Sequence, residues 1–259
     1  MMPYHIYYKM SAKAVHTSAR SQKNPKYPPR GAVTDGQVPW STKFAEYKPV
    51  EYEDAVLEGA PWADAADFKS ISAELIRKRV SAEGAMVLDK TTGRPLNPRG
   101  RTGITGRGLL GKWGPNFAAD PIVTRFHPTE GQLQVVVIER RDTGDWALPG
   151  GMVDPGEHVS VTVRREFTEE AGNLASDPEK AALFKKLTDD LFADGNVVYT
   201  GYVDDPRNTD NAWMETTAMH FACNSKLGEM MPLKAGDDAA KVRLFHRQHM
   251  AVVAASNYV

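Results

Sequence analysis

The chain has 259 residues, with 32 Lys and Arg against 33 Asp and Glu, for a formal net charge of −1. That balance gives no broad electropositive field of the kind that draws nucleic acid or an anionic membrane surface, so neither is an expected partner. The single cysteine, Cys223, excludes an intrachain disulfide framework and any multi-cysteine zinc site. No apolar run approaches the roughly 18 residues needed to cross a bilayer. The longest, around Val135–Ile138 and Met250–Ala255, have the size of core strands or helices, and no direct membrane insertion is expected.

Residues 1–34 contain no Asp or Glu but carry Lys9, Lys13, Arg20, Lys23, Lys26 and Arg30. Two readings are open: a mitochondrial presequence, or a flexible basic tail, since Pro3, Pro25, Pro28 and Pro29 interrupt any amphipathic helix. The compartment is accordingly mitochondrial or cytoplasmic. Residues 35–118 are rich in Pro, Gly and Trp, with one helix expected near Ile71–Val80, and read as a loop-rich accessory region.

From residue 119 to 259 the pattern is that of a compact α/β core. β-Branched runs bounded by turn formers predict strands at Ile122–Phe126, Leu133–Glu139, Val197–Val203, Trp213–Ala222 and Lys241–Phe245. Helices are expected at Ser160–Ala171, after the Pro155-Gly156 turn, and at Pro178–Ala193, where Pro178 suits a first helical turn.

The chemistry concentrates in the first of these helices. Glu166 lies three and four residues before Glu169 and Glu170, which puts three carboxylates on one face, while Val163, Phe167 and Ala171 line an adjacent apolar face. Like charges at that spacing repel unless a cation or cationic partner neutralises them. Carboxylates without a histidine cluster favour Mg²⁺ or Mn²⁺ over zinc, and Mg²⁺ commonly sits between carboxylates and substrate phosphates. The alternative is a solvated acidic face paired with Arg164, Arg165 or a distant lysine.

The full spacing, G-x5-E-x7-R-E-U-x-E-E-x-G, is filled by Gly151, Glu157, Arg165, Glu166, Phe167, Glu169, Glu170 and Gly172. It resembles the signature of the Nudix hydrolase family. Asn173 departs from it, standing where an aliphatic residue is usual. The resemblance implies an α/β fold, a Nudix α/β/α sandwich with a mixed β-sheet, here preceded by the smaller loop-rich N-terminal region. It implies that Glu166 and Glu170 bind metal with the Gly151 carbonyl, that Glu169 assists, and that Arg165 orients a catalytic carboxylate. Position alone leaves Glu157 open between capping the turn and catalysis.

Segments flanking the box resemble one branch of the family, the ADP-ribose pyrophosphatases of animal mitochondria and the C-terminal domain of an ADP-ribose-gated melastatin cation channel. They include Tyr47–Tyr52, Gly106–Asn116, Ala118–Ile122, Gly201–Thr216 and Ala235–Lys241. This implies Mg²⁺-dependent hydrolysis of ADP-ribose to AMP and ribose 5-phosphate, or alternatively an ADP-ribose-sensing module attached to a channel polypeptide, with or without hydrolysis. In the loop after residue 203, Asp205, Arg207 and Trp213 are candidates for binding ribose hydroxyls and stacking on the base, although Asp and Asn there could equally build turns and Trp213 could pack. Asp237 and Asp238 resemble the segment facing the terminal ribose, with an exposed turn as the alternative. Gly106, Gly108 and Gly111 match G-x-G-x-x-G, but that pattern carries meaning only between a strand and a helix, and Trp113-Gly114-Pro115 interrupts any helix here, which leaves a basic segment bordering the diphosphate cleft or a tight structural loop between domains.

Overall fold

The computed structural model describes residues 15–22, 24–127, 129–140, 146–153, 164, 178–224, 227 and 239–246. Its centre is a seven-stranded mixed sheet. The strands are β3 (Gly114–Phe126), β4 (Leu133–Arg140), β5 (Trp146–Ala147), β6 (Gly151–Met152), β7 (Asn196–Val203), β8 (Ala212–Ala222) and β9 (Ala239–His246). The main path runs β5-β4-β3-β8-β7, with β6 paired to β3 and β9 to β4. β3 and β8 run parallel in unbroken register from Gly114↔Ala212 to Thr124↔Ala222, and every other pairing in this sheet is antiparallel.

The expected mixed sheet is present, with each of the five expected strands found near its predicted place. The largest difference is at β3, which begins at Gly114 rather than at Ile122, so the division expected after residue 118 falls inside a strand. Pro121 is tolerated there because it falls between the stretch of β3 that pairs with β6, Ala118 and Ala119, and the stretch that pairs with β4, Thr124–Phe126, where among the described residues no ladder partner lies on that side. The two-residue strands β5 and β6 are too short to carry a period-2 pattern.

Both faces of β4 are buried, which is why its sequence is a continuous apolar run and does not alternate. Val136 and Ile138 pack with Ala119, Val123 and Phe221 under the long helix Pro178–Phe192. Val135 and Val137 point the other way, against Ile122, Trp146 and Leu148. The long helix presents Phe184, Leu187, Leu191 and Phe192 to the sheet at the spacing of one helical face. Phe192 meets Phe221 edge-on at 4.5 Å between ring centroids, and each such buried side chain contributes about 1.5–3 kcal/mol. The helix expected at Ser160–Ala171 lies outside the described residues, Arg164 apart.

The N-terminal region is held by a small parallel pair, β1 (Val50–Glu53) with β2 (Ile104–Gly108), and by cations stacked on aromatic rings. The helix expected near Ile71–Val80 is a five-residue helix, Ala73–Arg77. Trp113 is fully buried beneath the guanidinium groups of Arg94 and Arg107, at 4.8 and 5.4 Å, and donates from Nε1 to the Ala65 carbonyl. Arg101 is enclosed by the rings of Trp40, Phe44 and Tyr47 and donates to the carbonyls of Gln37, Pro39 and Thr42.

Among its described residues, the stretch expected as a flexible basic tail is docked from His16 to Arg30. His16, Ala19 and Tyr27 are buried. The Asp204 carboxylate accepts the backbone N–H groups of Thr17, Ser18 and Ala19 at 2.7–2.9 Å. The Tyr27 hydroxyl donates to the Arg207 carbonyl, and Arg30 donates to the carbonyls of Thr102 and Pro206. Composition reports charge and proline content but not such long-range backbone partners, so this strap could not be read from the sequence.

Candidate active site

The described part of the site lies where β3, β6 and β8 meet. Gly151 pairs with Ala119 and Met152 with Ala118, and the Val153 N–H donates to the Phe117 carbonyl. The start of the carboxylate box is therefore laced to the middle of β3. Next to Ala119 on β3, the half-buried Asp120 accepts a hydrogen bond from the Thr216 hydroxyl at 2.8 Å. Its other oxygen lies against the Cα of Gly150, in the space a Cβ would need.

Arg165, Glu166, Glu169 and Glu170, together with Glu157, Asp237 and Asp238, lie outside the described residues. Their neighbour Arg164 forms an ion pair with Asp189 on the long helix. This contact joins Arg164 to the long helix. The Asp189 carboxyl is held below the usual carboxylate range, chiefly by its hydrogen bond from Lys185.

The loop after β7 is divided in two. Asp205 and Arg207 form a bidentate ion pair, at 2.8 and 2.7 Å, whose side chains are 15% and 33% exposed. Trp213, by contrast, is 1% exposed and donates from Nε1 to Glu215 at 2.8 Å. Of the open readings for this indole, packing is the one its position in this structure supports, because neither ring face is available to a base. Asn208, Thr209, Asp210 and Asn211 are also buried. Asn208 closes the loop on the Val203 carbonyl, while Thr209, Asp210 and Asn211 bind Gly106, Thr102 and Pro95 and build the contact with the N-terminal region.

Two buried carboxylates at this contact carried no signal in the sequence. Asp210 accepts from the Tyr47 hydroxyl, the Thr102 N–H and the Thr102 hydroxyl. Burial pushes its carboxyl up to about 6 in spite of those donors and the attraction of Arg30. Glu215 accepts from Trp213, from the Ser81 hydroxyl at 2.5 Å and from the Ala82 N–H at 2.8 Å. Asp210 is one more acid in an acid-rich loop and Glu215 one acid on β8, and only the fold shows that each faces donors from elsewhere in the chain.

The glycine-rich stretch makes close backbone contacts. Gly106 and Gly108 have φ of 85° and 60° and close on β1 and Tyr27, and β3 follows without a helix. It lacks the strand-to-helix context that a dinucleotide-binding turn requires.

Residues 120–254 match the family described as NUDIX domain, and residues 33–114 match the one described as NUDT9-like, N-terminal domain. The chain belongs to the Nudix family. It is 47% identical over 219 residues to nudix hydrolase 6 of Caenorhabditis elegans, a match covering 82% of this chain and 80% of that one. It is 46% identical over 255 residues to the mitochondrial ADP-ribose pyrophosphatase of Rattus norvegicus, covering 88% and 71%. A match at 42% identity to transient receptor potential cation channel subfamily M member-like 2 of Nematostella vectensis covers 88% of this chain but 16% of the channel.

The family implies a divalent metal. Of the groups the resemblance assigns to that metal, Gly151 alone lies among the described residues, on β6 beside β3, and a backbone carbonyl oxygen suits a hard cation.

Proposed function

We propose that the chain hydrolyses the pyrophosphate of ADP-ribose to AMP and ribose 5-phosphate, with Mg²⁺, or Mn²⁺ in its place, as the ion. The observation that carries this reading is the complete box from Gly151 to Gly172 within a chain 46% identical to an ADP-ribose pyrophosphatase. In this assignment Glu166 and Glu170 hold the ion with the Gly151 carbonyl, Glu169 assists, and Arg165 orients a carboxylate by a charge-assisted hydrogen bond. The ion, when bound, lowers the pKa of a coordinated water and offsets negative charge on the phosphoryl oxygens. Asp205 and Arg207, whose ion pair is partly exposed, bind the ribose and diphosphate, and Asp237 and Asp238 face the terminal ribose. Trp213 supports the loop from beneath.

The mitochondrial relative and the acid-free stretch 1–34 support a mitochondrial location. A second reading, an ADP-ribose sensor joined to a channel polypeptide, is supported by the 42% identity to a channel subunit. The intact carboxylates favour hydrolysis over sensing alone. Purified chain with Mg²⁺ is expected to release AMP from ADP-ribose in preference to ADP-glucose, and Glu170→Gln to abolish turnover while ADP-ribose still binds. Equal specificity constants for the two substrates would remove the ADP-ribose assignment, and undiminished turnover in Glu170→Gln would remove the metal assignment.

A further inference from the structure

Asp120 is an unusual residue for its position. Aspartate is depleted from strand interiors, yet Asp120 sits in the middle of the thirteen-residue β3, next to the residue that pairs with Gly151. Its neighbours Ala119 and Val123 face the long helix and belong to that core. Side chains alternate along a strand, so Asp120 faces the other way, as do Ala118 and Ile122, which pack into separate clusters.

β8 alternates in the same sense. Trp213 and Glu215 turn toward Ser81 and Ala82, whereas Met214 and Thr216 turn toward the face that holds Ala118 and Asp120. The two carboxylate oxygens of Asp120 have different neighbours. Oδ2 accepts from the Thr216 hydroxyl, and Oδ1 rests against the Gly150 backbone. A Cβ at Gly150 would also come within 2.9 Å of the Asp120 Cγ and 3.1 Å of the Ala119 carbonyl oxygen. Gly150 does not adopt the left-handed conformation that usually calls for glycine. The space it leaves free is filled by Asp120.

We propose that Asp120, held by Thr216, is a positioning residue for the hydrolytic site, fixing the Gly150-Gly151 backbone at which the carboxylate box begins. The proposal rests on the assignment of the Gly151 carbonyl as a metal ligand. A displacement of that carbonyl by a fraction of an ångström weakens ion binding without removing any ligand, which is how residues behind metal ligands act. Asp120 supplies the contact, Thr216 fixes its rotamer through a hydroxyl, and Gly150 is the surface it bears on.

The test uses the full chain with Thr216→Val, Thr216→Ser, Asp120→Asn and Gly150→Ala. Three quantities are measured: Mn²⁺ affinity by water-proton relaxation without substrate, kcat and KM for ADP-ribose with Mg²⁺, and the unfolding midpoint. Thr216→Val and Gly150→Ala are expected to weaken Mn²⁺ binding and lower kcat by about 10- to 100-fold, with KM for ADP-ribose changing by less than about threefold. Thr216→Ser, which restores the hydroxyl, is expected to recover both. Asp120→Asn keeps the shape and loses the charge, and is expected to fall between wild type and Thr216→Val.

Wild-type Mn²⁺ affinity and kcat in both Thr216→Val and Asp120→Asn would overturn the proposal. So would losses that follow the unfolding midpoint and are not recovered by Thr216→Ser, since that pattern belongs to a purely structural role. Because Mn²⁺ binding is read without substrate, a failure of ADP-ribose as the substrate would show as absent AMP release in wild type and is distinguishable from a failure of Asp120.

Discussion

The Tyr47 hydroxyl donates to Asp210 at 2.6 Å across 163 residues of chain, joining the N-terminal region to the loop ahead of β8 at a point closed to solvent. Thr102 adds two more donors, and Arg30 faces the same group. The Asp210 carboxyl lies at about 6 because burial outweighs these four influences. A folded-state value above the unfolded one means that the folded protein holds the proton more tightly. The resulting stabilisation is complete below about 3.8 and is lost as pH rises through about 6.

The predicted consequence is a stability difference between wild type and Asp210→Asn that is largest in acid and shrinks by up to about 3 kcal/mol toward neutral pH. Urea unfolding of both chains between pH 4.5 and 7.5 measures it. A constant difference across that range would mean that Asp210 does not change protonation there.

Asp204 carries a prediction about the strap. Its carboxylate accepts three successive backbone N–H groups from Thr17, Ser18 and Ala19 and is 8% exposed. Asp204→Ala leaves those donors without their acceptor, a loss of about 1–3 kcal/mol concentrated in the strap. Trypsin is expected to cut after Arg20 roughly 5- to 150-fold faster in the variant, because cleavage follows the local opening equilibrium. An unchanged rate of cutting would show that Tyr27 and Arg30 hold the strap without Asp204.

How far the sequence carried is clear from particular residues. The strands around Val135–Ile138 and Ala212–Ala222 are legible because β-branched and apolar runs of strand length, bounded by turn formers, report burial directly. The long helix is legible from Pro178 and the spacing of Phe184, Leu187 and Leu191. The box is legible because its spacing is itself the chemistry.

What escapes is whatever depends on which distant group a polar side chain meets. Asp210 and Asp205 lie in one loop and look alike in sequence, yet Asp210 is sealed beneath Tyr47 while Asp205 stays partly exposed with Arg207. Asp120 reads as a turn former ahead of a strand until β3 is seen to begin six residues earlier, at Gly114.

The same distinction bears on Trp213, for which the sequence offered stacking on a base or packing. At 1% exposure, with its Nε1 bound to Glu215, the indole secures a carboxylate that also holds Ser81 and Ala82. Trp213→Phe keeps much of the apolar body and removes the donor, so Glu215 loses one of three hydrogen bonds. A loss of about 1–3 kcal/mol in unfolding free energy is expected, with KM for ADP-ribose within about twofold of wild type, since uniform binding is what a raised KM at constant kcat reports. A base stacked on this ring contributes about 1–3 kcal/mol in nucleic-acid complexes. On that scale removing the ring from a direct contact would raise KM by roughly 5- to 150-fold, and a rise of that size in a folded Trp213→Leu, which has no ring, would return the indole to the substrate and require the loop to open when ligand binds.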